Sequence, residues 1–144
     1  MVSIAQELHG LQPIEYAYFA GLFDGEGCVM LAKATYNNGN VYYKPRITLT
    51  GCYYPTLSLL EKKYKGHIYI KTNTKDESKK TCYAFSLNGI KSISFLKSLL
   101  PYLKEKRTQA LLLIESEKYP AKSSQRARIY QKLRDSKKVS HGPS

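Results

Sequence analysis

The chain has 144 residues, of which 42% are hydrophobic, and its 23 lysines and arginines outnumber 11 acidic residues for a formal net charge of +12. This length suits one domain of roughly 100–150 residues, and the apolar content excludes a wholly disordered basic tail. The charge favours a polyanionic partner, nucleic acid first and an anionic membrane surface second, while no run of about 18 apolar residues is present to span a bilayer.

The first predicted element is a helix over residues 13–24. Pro13 suits the first helical turn, Glu15 suits the positive end of the helix dipole, and the glycines at 25 and 27 are expected to end the helix. Because Gly21 costs about 1 kcal/mol relative to alanine inside a helix, we interpret the small side chains around it as a surface that a second backbone approaches closely, with another copy of the chain as the partner. This stripe consists of Ala17, Ala20, Gly21 and Asp24.

Two β-hairpins follow, separated by a helix over residues 56–64. The first joins residues 28–36 to 41–50 through the turn signal at 37–40, and the second joins residues 67–73 to 81–87 through a polar loop. Lys33 falls among the core positions of the first strand. Alternation in the second hairpin predicts core positions at Ile68, Ile70, Tyr83, Phe85 and Leu87, and outward positions at His67, Tyr69, Lys71, Asn73, Ala84 and Ser86.

Helices over residues 90–99, 103–118 and 124–136 complete an α+β domain with one antiparallel sheet. We expect residues 1–122 to form this domain and residues 123–144 a basic helix and tail. The outward sheet face is basic and polar, which suits contact with DNA in the major groove, although a solvated antiparallel sheet is also normally polar. The candidate DNA-binding residues are Tyr42, Lys44, Arg46, Thr48, Tyr69, Lys71 and Asn73.

The positions of the cysteines and histidines further limit the classes of protein to which the chain can belong. Cys28, Cys52 and Cys82 lie 24 and 30 residues apart, and the three histidines are equally dispersed. This spacing predicts neither a disulfide framework nor a zinc site. The N-terminus lacks the features of a secretory signal, so we expect an intracellular protein of the cytoplasm, the nucleoid or an organelle matrix.

Charge is distributed unevenly along the chain. Residues 1–31 contain four acidic residues, including Asp24 and Glu26, and no lysine or arginine, so the remaining residues carry all 23 basic groups. An acidic segment in a polyanion-binding chain raises the hypothesis that its carboxylates hold a cation. Glu26 follows the predicted helix end, where the peptide dipoles contribute negative charge and carbonyls such as that of Gly25 have no helical partner. A carboxylate together with carbonyl oxygens is a set of hard ligands suited to Mg²⁺.

Residues 19–27 read Phe-Ala-Gly-Leu-Phe-Asp-Gly-Glu-Gly, which resembles the signature of the LAGLIDADG homing endonucleases. Residues 101–109 resemble that family's Pro-x-Leu-x-x-Lys-x-x-Gln segment, and the order of elements agrees over residues 14–118. The resemblance implies the family's αββαββα fold and a single-motif homodimer that binds a long pseudo-palindromic double-stranded DNA site. It also implies divalent-metal-dependent cleavage of both strands, with Mg²⁺ or Mn²⁺ as cofactor, in intron or intein homing.

The resemblance assigns roles to three residues. Glu26 matches the metal-binding acid and Lys106 the active-site lysine, whereas Asp24 is better interpreted as structural at the helix end. Family members often have a polar residue near the end of the second strand, where this chain has Gly51, so Thr50 or water takes that role or cleavage is weakened. An isolated lysine in so basic a chain is otherwise a solvated surface residue.

Two other functions stay open at this point. An RNA-splicing maturase or a non-cleaving DNA-binding protein would have the same fold, and Gly51 favours this alternative while Glu26 and Lys106 argue against it. A basic module for a membrane or RNA surface would use residues 123–138, but it leaves the Gly-Glu-Gly segment unexplained.

Overall fold

The computed structural model describes residues 10–71 and 81–138. In chain order these residues form α1 (Pro13–Glu26), β1 (Gly27–Thr35), β2 (Val41–Gly51), α2 (Tyr54–Tyr64), β3 (His67–Ile70), β4 (Tyr83–Asn88), α3 (Ile90–Leu99), a 3₁₀ turn (Leu100–Tyr102), α4 (Arg107–Ser116) and α5 (Ser124–Lys138). The strands form one antiparallel sheet in the order β1-β2-β4-β3. The α+β prediction is confirmed. Within these residues, no helix is long and apolar enough to cross a membrane.

The β1–β2 hairpin has the predicted turn and alternation. Ile47 and Leu49 of β2 are fully buried, as is Val29 of β1, while Lys44 is exposed. Lys33 lies on the core side of β1 near the end of the strand, where the core no longer covers it. Its ammonium lies 5.9 Å from the centre of the Tyr130 ring on α5, a cation–π contact that leaves the charge in solvent.

Three of the expected burial states in the second hairpin are wrong. Ala84 and Ser86 face outward but are 0% and 4% exposed, because β4 is an inner strand and larger side chains flank both residues. Thr50 and Tyr69 lie on either side of Ala84, and Ser86 lies between Thr48 and His67. Ile70, assigned to the core, is 69% exposed because it is the last residue of a four-residue edge strand.

Helix α1 continues two residues further than predicted. It passes through Gly25 and ends at Glu26, and Gly27 begins β1. A side chain at Gly27 would overlap the ring of Phe23, which is fully buried in the core. At the other end of α1, the carboxylate of Glu15 accepts a hydrogen bond of 3.1 Å from the Gln12 N–H, which caps the helix.

Helix α5 contributes to the core of the domain. Ile129 and Leu133 are buried in the main hydrophobic cluster. Arg126 lies half-buried at the start of this helix and donates hydrogen bonds to two backbone carbonyls, at 2.9 Å to Ser116 and 2.6 Å to Tyr43. Burial lowers the pKa of the Arg126 guanidinium, and nearby Glu117 opposes that shift. This arginine therefore ties α5 to both α4 and the sheet.

Candidate active site and nucleic-acid interface

The end of α1 presents an exposed carboxylate. Glu26 is the last residue of the helix and is solvent-exposed. It lies where the carbonyls of the last turn have no helical partner and the dipole is negative, so this position attracts cations. Among the described residues, no three His, Cys, Asp or Glu side chains cluster into a metal site. The end of α1 thus combines an exposed carboxylate with the last backbone carbonyls of the helix.

Asp24 connects this helix end to the segment that precedes α4. Its carboxylate accepts hydrogen bonds of 2.9 Å from the backbone N–H groups of Lys104 and Lys106. The Lys106 ammonium in turn donates to the Asp24 carbonyl at 3.0 Å. These three bonds hold the half-buried Lys106 against the last turn of α1. Their partner on the helix, Asp24, lies two residues before Glu26.

The same bonds explain why α4 begins later than predicted. The expected helix started at residue 103, whereas α4 begins at Arg107. Because the Asp24 carboxylate satisfies the N–H groups of Lys104 and Lys106, the chain forms a turn at residues 104–106 instead of a helix. The structural role expected for Asp24 agrees with these contacts.

A groove of about 380 Å³ runs beside Glu26. Its walls come from α1, from the end of β2 and from the start of α2. Thr50 and Gly51 both line this groove, as does Glu26. The remaining lining residues are Tyr18, Leu22, Cys52, Tyr53, Thr56, Leu57 and Cys82.

The cysteine spacing predicted no disulfide framework, but the structure joins one pair of cysteines. Cys52 and Cys82 are joined by a disulfide, with their Cα atoms 4.3 Å apart, and Cys28 is free. Sequence spacing could not indicate this pair, because the antiparallel register of β2 and β4 brings the two positions together. Both cysteines line the groove beside Glu26.

The outward sheet face places most of the candidate DNA-binding residues together on β2 and β3. Lys44 donates a hydrogen bond of 3.1 Å to the Tyr36 hydroxyl, and the Tyr36 and Tyr42 rings meet edge to face. Arg46 and Thr48 are half-buried on the same strand, and the Nε of Arg46 has no hydrogen-bond partner within residues 10–71 and 81–138.

On β3, Tyr69 is 36% exposed and stacks on His67. Lys71 is exposed just beyond the strand, and Asn73 lies outside the described residues. Tyr36 and His67 belong to this face but were not among the candidate site residues. The alternation that placed His67 outward could have identified it, whereas Tyr36 follows β1 and reaches the face through its contact with Lys44.

Nothing in residues 10–71 and 81–138 covers one side of α1. Ile14 and Tyr18 are 79% and 59% exposed, and side chains at Gly21 or Gly25 would meet no atom within 4 Å. Ala20 was assigned to the dimer stripe, but it is fully buried within its own chain, so this assignment is wrong. The helix buries Tyr16, Phe19, Ala20 and Phe23 on one face. The uncovered stripe is therefore shifted by about one residue from the predicted one. Ala17 is half-buried beside the uncovered stripe, and Asp24 is occupied by its contacts with the α4 segment.

Comparison with known proteins gives matches at the level of structure. No protein-family profile and no curated protein sequence matches the chain. The archaeal intron-encoded homing endonuclease I-Vdi141I, solved with DNA, superposes with a TM-score of 0.67 at 14% identity over 90% of this chain and 87% of that one. I-CvuI, solved with its target in the presence of Ca, superposes with a TM-score of 0.64 at 20% identity, over 91% of this chain and 85% of that one.

The LAGLIDADG homing endonuclease I-LtrWI, bound to target DNA, gives a TM-score of 0.55 at 20% identity. The match covers 90% of this chain but 46% of I-LtrWI. Together with the motif at residues 19–27, these superpositions confirm the resemblance in three dimensions: the chain has the fold of the LAGLIDADG homing endonucleases.

Proposed function

We propose that this chain is a site-specific DNA endonuclease that acts as a homodimer and makes a double-strand break with the help of a divalent cation. The observation that carries the proposal is the placement of the end of α1. There the helix ends in an exposed carboxylate, Glu26, and two residues earlier Asp24 holds the Lys106 segment. The Asp24 carboxylate accepts the backbone N–H groups of Lys104 and Lys106, and the Asp24 carbonyl accepts the Lys106 ammonium. An outward sheet face with basic and aromatic side chains provides the DNA-binding surface.

The solved relatives support DNA as the substrate class. I-Vdi141I, I-CvuI and I-LtrWI were each solved with DNA. I-CvuI was also solved with the I-CreI target in the presence of 2 mM Mg, with the DNA not cleaved. The high positive charge of this chain agrees with a phosphate-rich partner.

The uncovered stripe on α1 supports a homodimer. Gly21 lies in the helix interior and Gly25 in its last turn, and both have open space where a side chain would project. Glycine at such positions lowers the stability of a helix by about 1 kcal/mol relative to alanine. No contact within the described part of the chain requires glycine there. Close approach of the same helix from a second copy gives these glycines a function. It also supplies a second Glu26, as cleavage of two strands requires.

The donor groups at the helix end fit a hard divalent cation. Glu26 offers carboxylate oxygens and Gly25 a backbone carbonyl, the ligands that Mg²⁺ or Mn²⁺ takes in proteins. When bound, such a cation lowers the pKa of a coordinated water and offsets charge on the phosphate. Glu26 would hold the cation, with water and DNA oxygens as the remaining ligands.

The residues of the chain would perform the rest of the mechanism. Lys106 uses one of its three N–H donors on the Asp24 carbonyl and keeps two for the phosphate or its water. Its positive charge stabilises the negative charge that develops on the scissile phosphate. Lys44, Arg46 and Tyr69 contact the DNA and orient it over Glu26.

Cleavage assays with single substitutions test this function. The substrate is a library of DNA duplexes that contains the host insertion site, with Mg²⁺ present or removed by chelation. We expect wild type to cleave one site in a metal-dependent manner and Glu26→Gln to bind that site without cleaving it. Glu115→Gln, an exposed carboxylate on α4, is the matched control and should cleave normally. Equal cleavage by wild type and Glu26→Gln would contradict the assignment.

Gly51 favours a second candidate, a protein that binds DNA or intron RNA without cleaving it. It lines the groove beside Glu26 but offers no polar side chain. Under this alternative, wild type binds a specific DNA or intron RNA and cleaves no DNA, whatever the metal. Gly51→Gln would then test whether the missing polar group is the cause.

A further inference from the structure

We propose that Cys52 and Cys82 form a reversible dithiol–disulfide site that reacts with small-molecule thiols and disulfides and controls the mobility of the groove wall beside Glu26. The proposal concerns a modification site rather than catalysis. Its tests measure thiols and backbone motion, so it stands or fails independently of the proposed nuclease activity.

The sheet register holds the two cysteines opposite each other. Gly51 and Tyr83 are the last paired residues of β2 and β4, and Cys52 and Cys82 are the next positions on the two strands. Their Cα separation of 4.3 Å is close to the roughly 4.5 Å of directly opposed residues in an antiparallel pair. The backbone N–H of Lys71 donates to the Cys82 carbonyl at 2.8 Å, which secures Cys82 from its other side. The thiols therefore stay adjacent when the bond is broken, and reoxidation needs no rearrangement of the strands.

The pair is accessible to small reagents. Cys52 is exposed and Cys82 is half-buried, and both line the open groove. Exposed disulfides exchange with thiols more readily than buried structural ones. The free cysteine, Cys28, lies on β1 opposite Thr48 and forms no part of this site.

The chemistry balances with a small disulfide as oxidant. The thiolate of Cys52 attacks one sulfur of the small disulfide, forming a mixed disulfide and releasing one small thiolate. The Cys82 thiolate then attacks the Cys52 sulfur, which forms the protein disulfide and releases the second small thiolate. The two released thiolates take up the two protons lost by the cysteines, so the protein loses two electrons and the small disulfide gains them. Reduction by two small thiols runs the same steps in reverse.

The Cys52–Cys82 disulfide links the segment between β2 and α2 to the start of β4. Cys52 lies between the end of β2 and the start of α2, and Cys82 leads into β4. The disulfide thus fixes the segment Gly51–Tyr53, which lines the groove that Glu26 also lines. In the dithiol form the covalent link to β4 is lost, and this segment keeps the ladder that ends at Gly51 and the edge-to-face contact of the Tyr54 and Tyr83 rings. We therefore expect residues 51–56 to be more mobile when the pair is reduced.

Thiol titration tests the site directly. The Cys28→Ser chain is equilibrated in buffers of reduced and oxidised glutathione, quenched with acid, treated with a maleimide and weighed intact. We expect two maleimides at the reducing limit, none at the oxidising limit, and a reversible transition that is independent of protein concentration. Cys28→Ser/Cys52→Ser and Cys28→Ser/Cys82→Ser are the matched controls and should acquire only a glutathione adduct.

Three results would overturn the proposal. The pair could keep two maleimide-reactive thiols in oxidised glutathione, form disulfide-linked chains, or resist reduction in the folded protein. Hydrogen exchange then tests the structural consequence: oxidation should slow exchange of the backbone N–H groups of residues 51–54 and 56 by about tenfold and leave those of α3 unchanged. An equal rate in both redox states would refute the control of the groove wall, whatever the outcome of any cleavage assay.

Discussion

Replacing Gly21 would separate the stability of a single chain from the formation of a dimer. The residue is exposed on α1, and a side chain there meets no atom within 4 Å. Because glycine in a helix interior costs about 0.5–1 kcal/mol relative to alanine, Gly21→Ala should raise the unfolding free energy of an isolated chain by that amount. In the dimer the same methyl would be inserted twice between two helices, and overpacking of about 1–3 kcal/mol should weaken association accordingly.

Two measurements distinguish these effects. Urea unfolding at a protein concentration below the dimer dissociation constant reports the isolated chain, and sedimentation velocity over a concentration series reports association. We expect Gly21→Leu to sediment as a monomer and to lose DNA cleavage. Gln125→Leu adds a similar side chain at an exposed position of α5 and should leave the dimer intact. A Gly21→Leu protein that dimerises like wild type would refute the proposed interface.

Three further predictions follow from contacts in the core and at the helix end. Gly27→Ala should lower the unfolding free energy in urea by about 1–3 kcal/mol, because its methyl overlaps the buried Phe23 ring, while Gly25→Ala, with open space, should not. Asp24→Asn should cost about 1.5–3 kcal/mol through its bonds to two backbone N–H groups and should also slow cleavage; equal stability to wild type would contradict this role. Burial raises the pKa of the Tyr64 hydroxyl, which bonds to Ser98 at 2.7 Å, so the folded state retains the proton and stability should fall above about pH 10. Tyr64→Phe should flatten that decline in urea unfolding measured from pH 8 to 11, and an unchanged slope would exclude Tyr64 as its cause.

The order of elements was predictable because local patterns determine it. Pro13 and Glu15 mark the start of α1, and the polar run before Val41 marks the first hairpin turn. Burial was less predictable, because alternation tells which face a residue is on and not what covers that face. Ala84 faces outward yet is buried between Thr50 and Tyr69, since both belong to neighbouring strands of a sheet order that alternation does not specify.

In the candidate site, too, some features could be predicted from the sequence and others required the tertiary structure. The motif at residues 19–27 made Glu26 a candidate, and the resemblance to a known family made Lys106 another, although 80 residues separate the two. That the Asp24 carboxylate holds the Lys106 segment could be seen only when the tertiary structure brought α1 and α4 together.

By itself, the sequence determined the order of the elements and the acidic helix end, because each depends on residues that are neighbours along the chain. Only the tertiary structure decided which side of α1 is uncovered, how Lys106 is held and that Cys52 meets Cys82. These depend on helix packing and strand register, which join positions that are far apart in sequence. The basic charge thus suggested a class of partner, whereas the packing around α1 placed the groups proposed to act there.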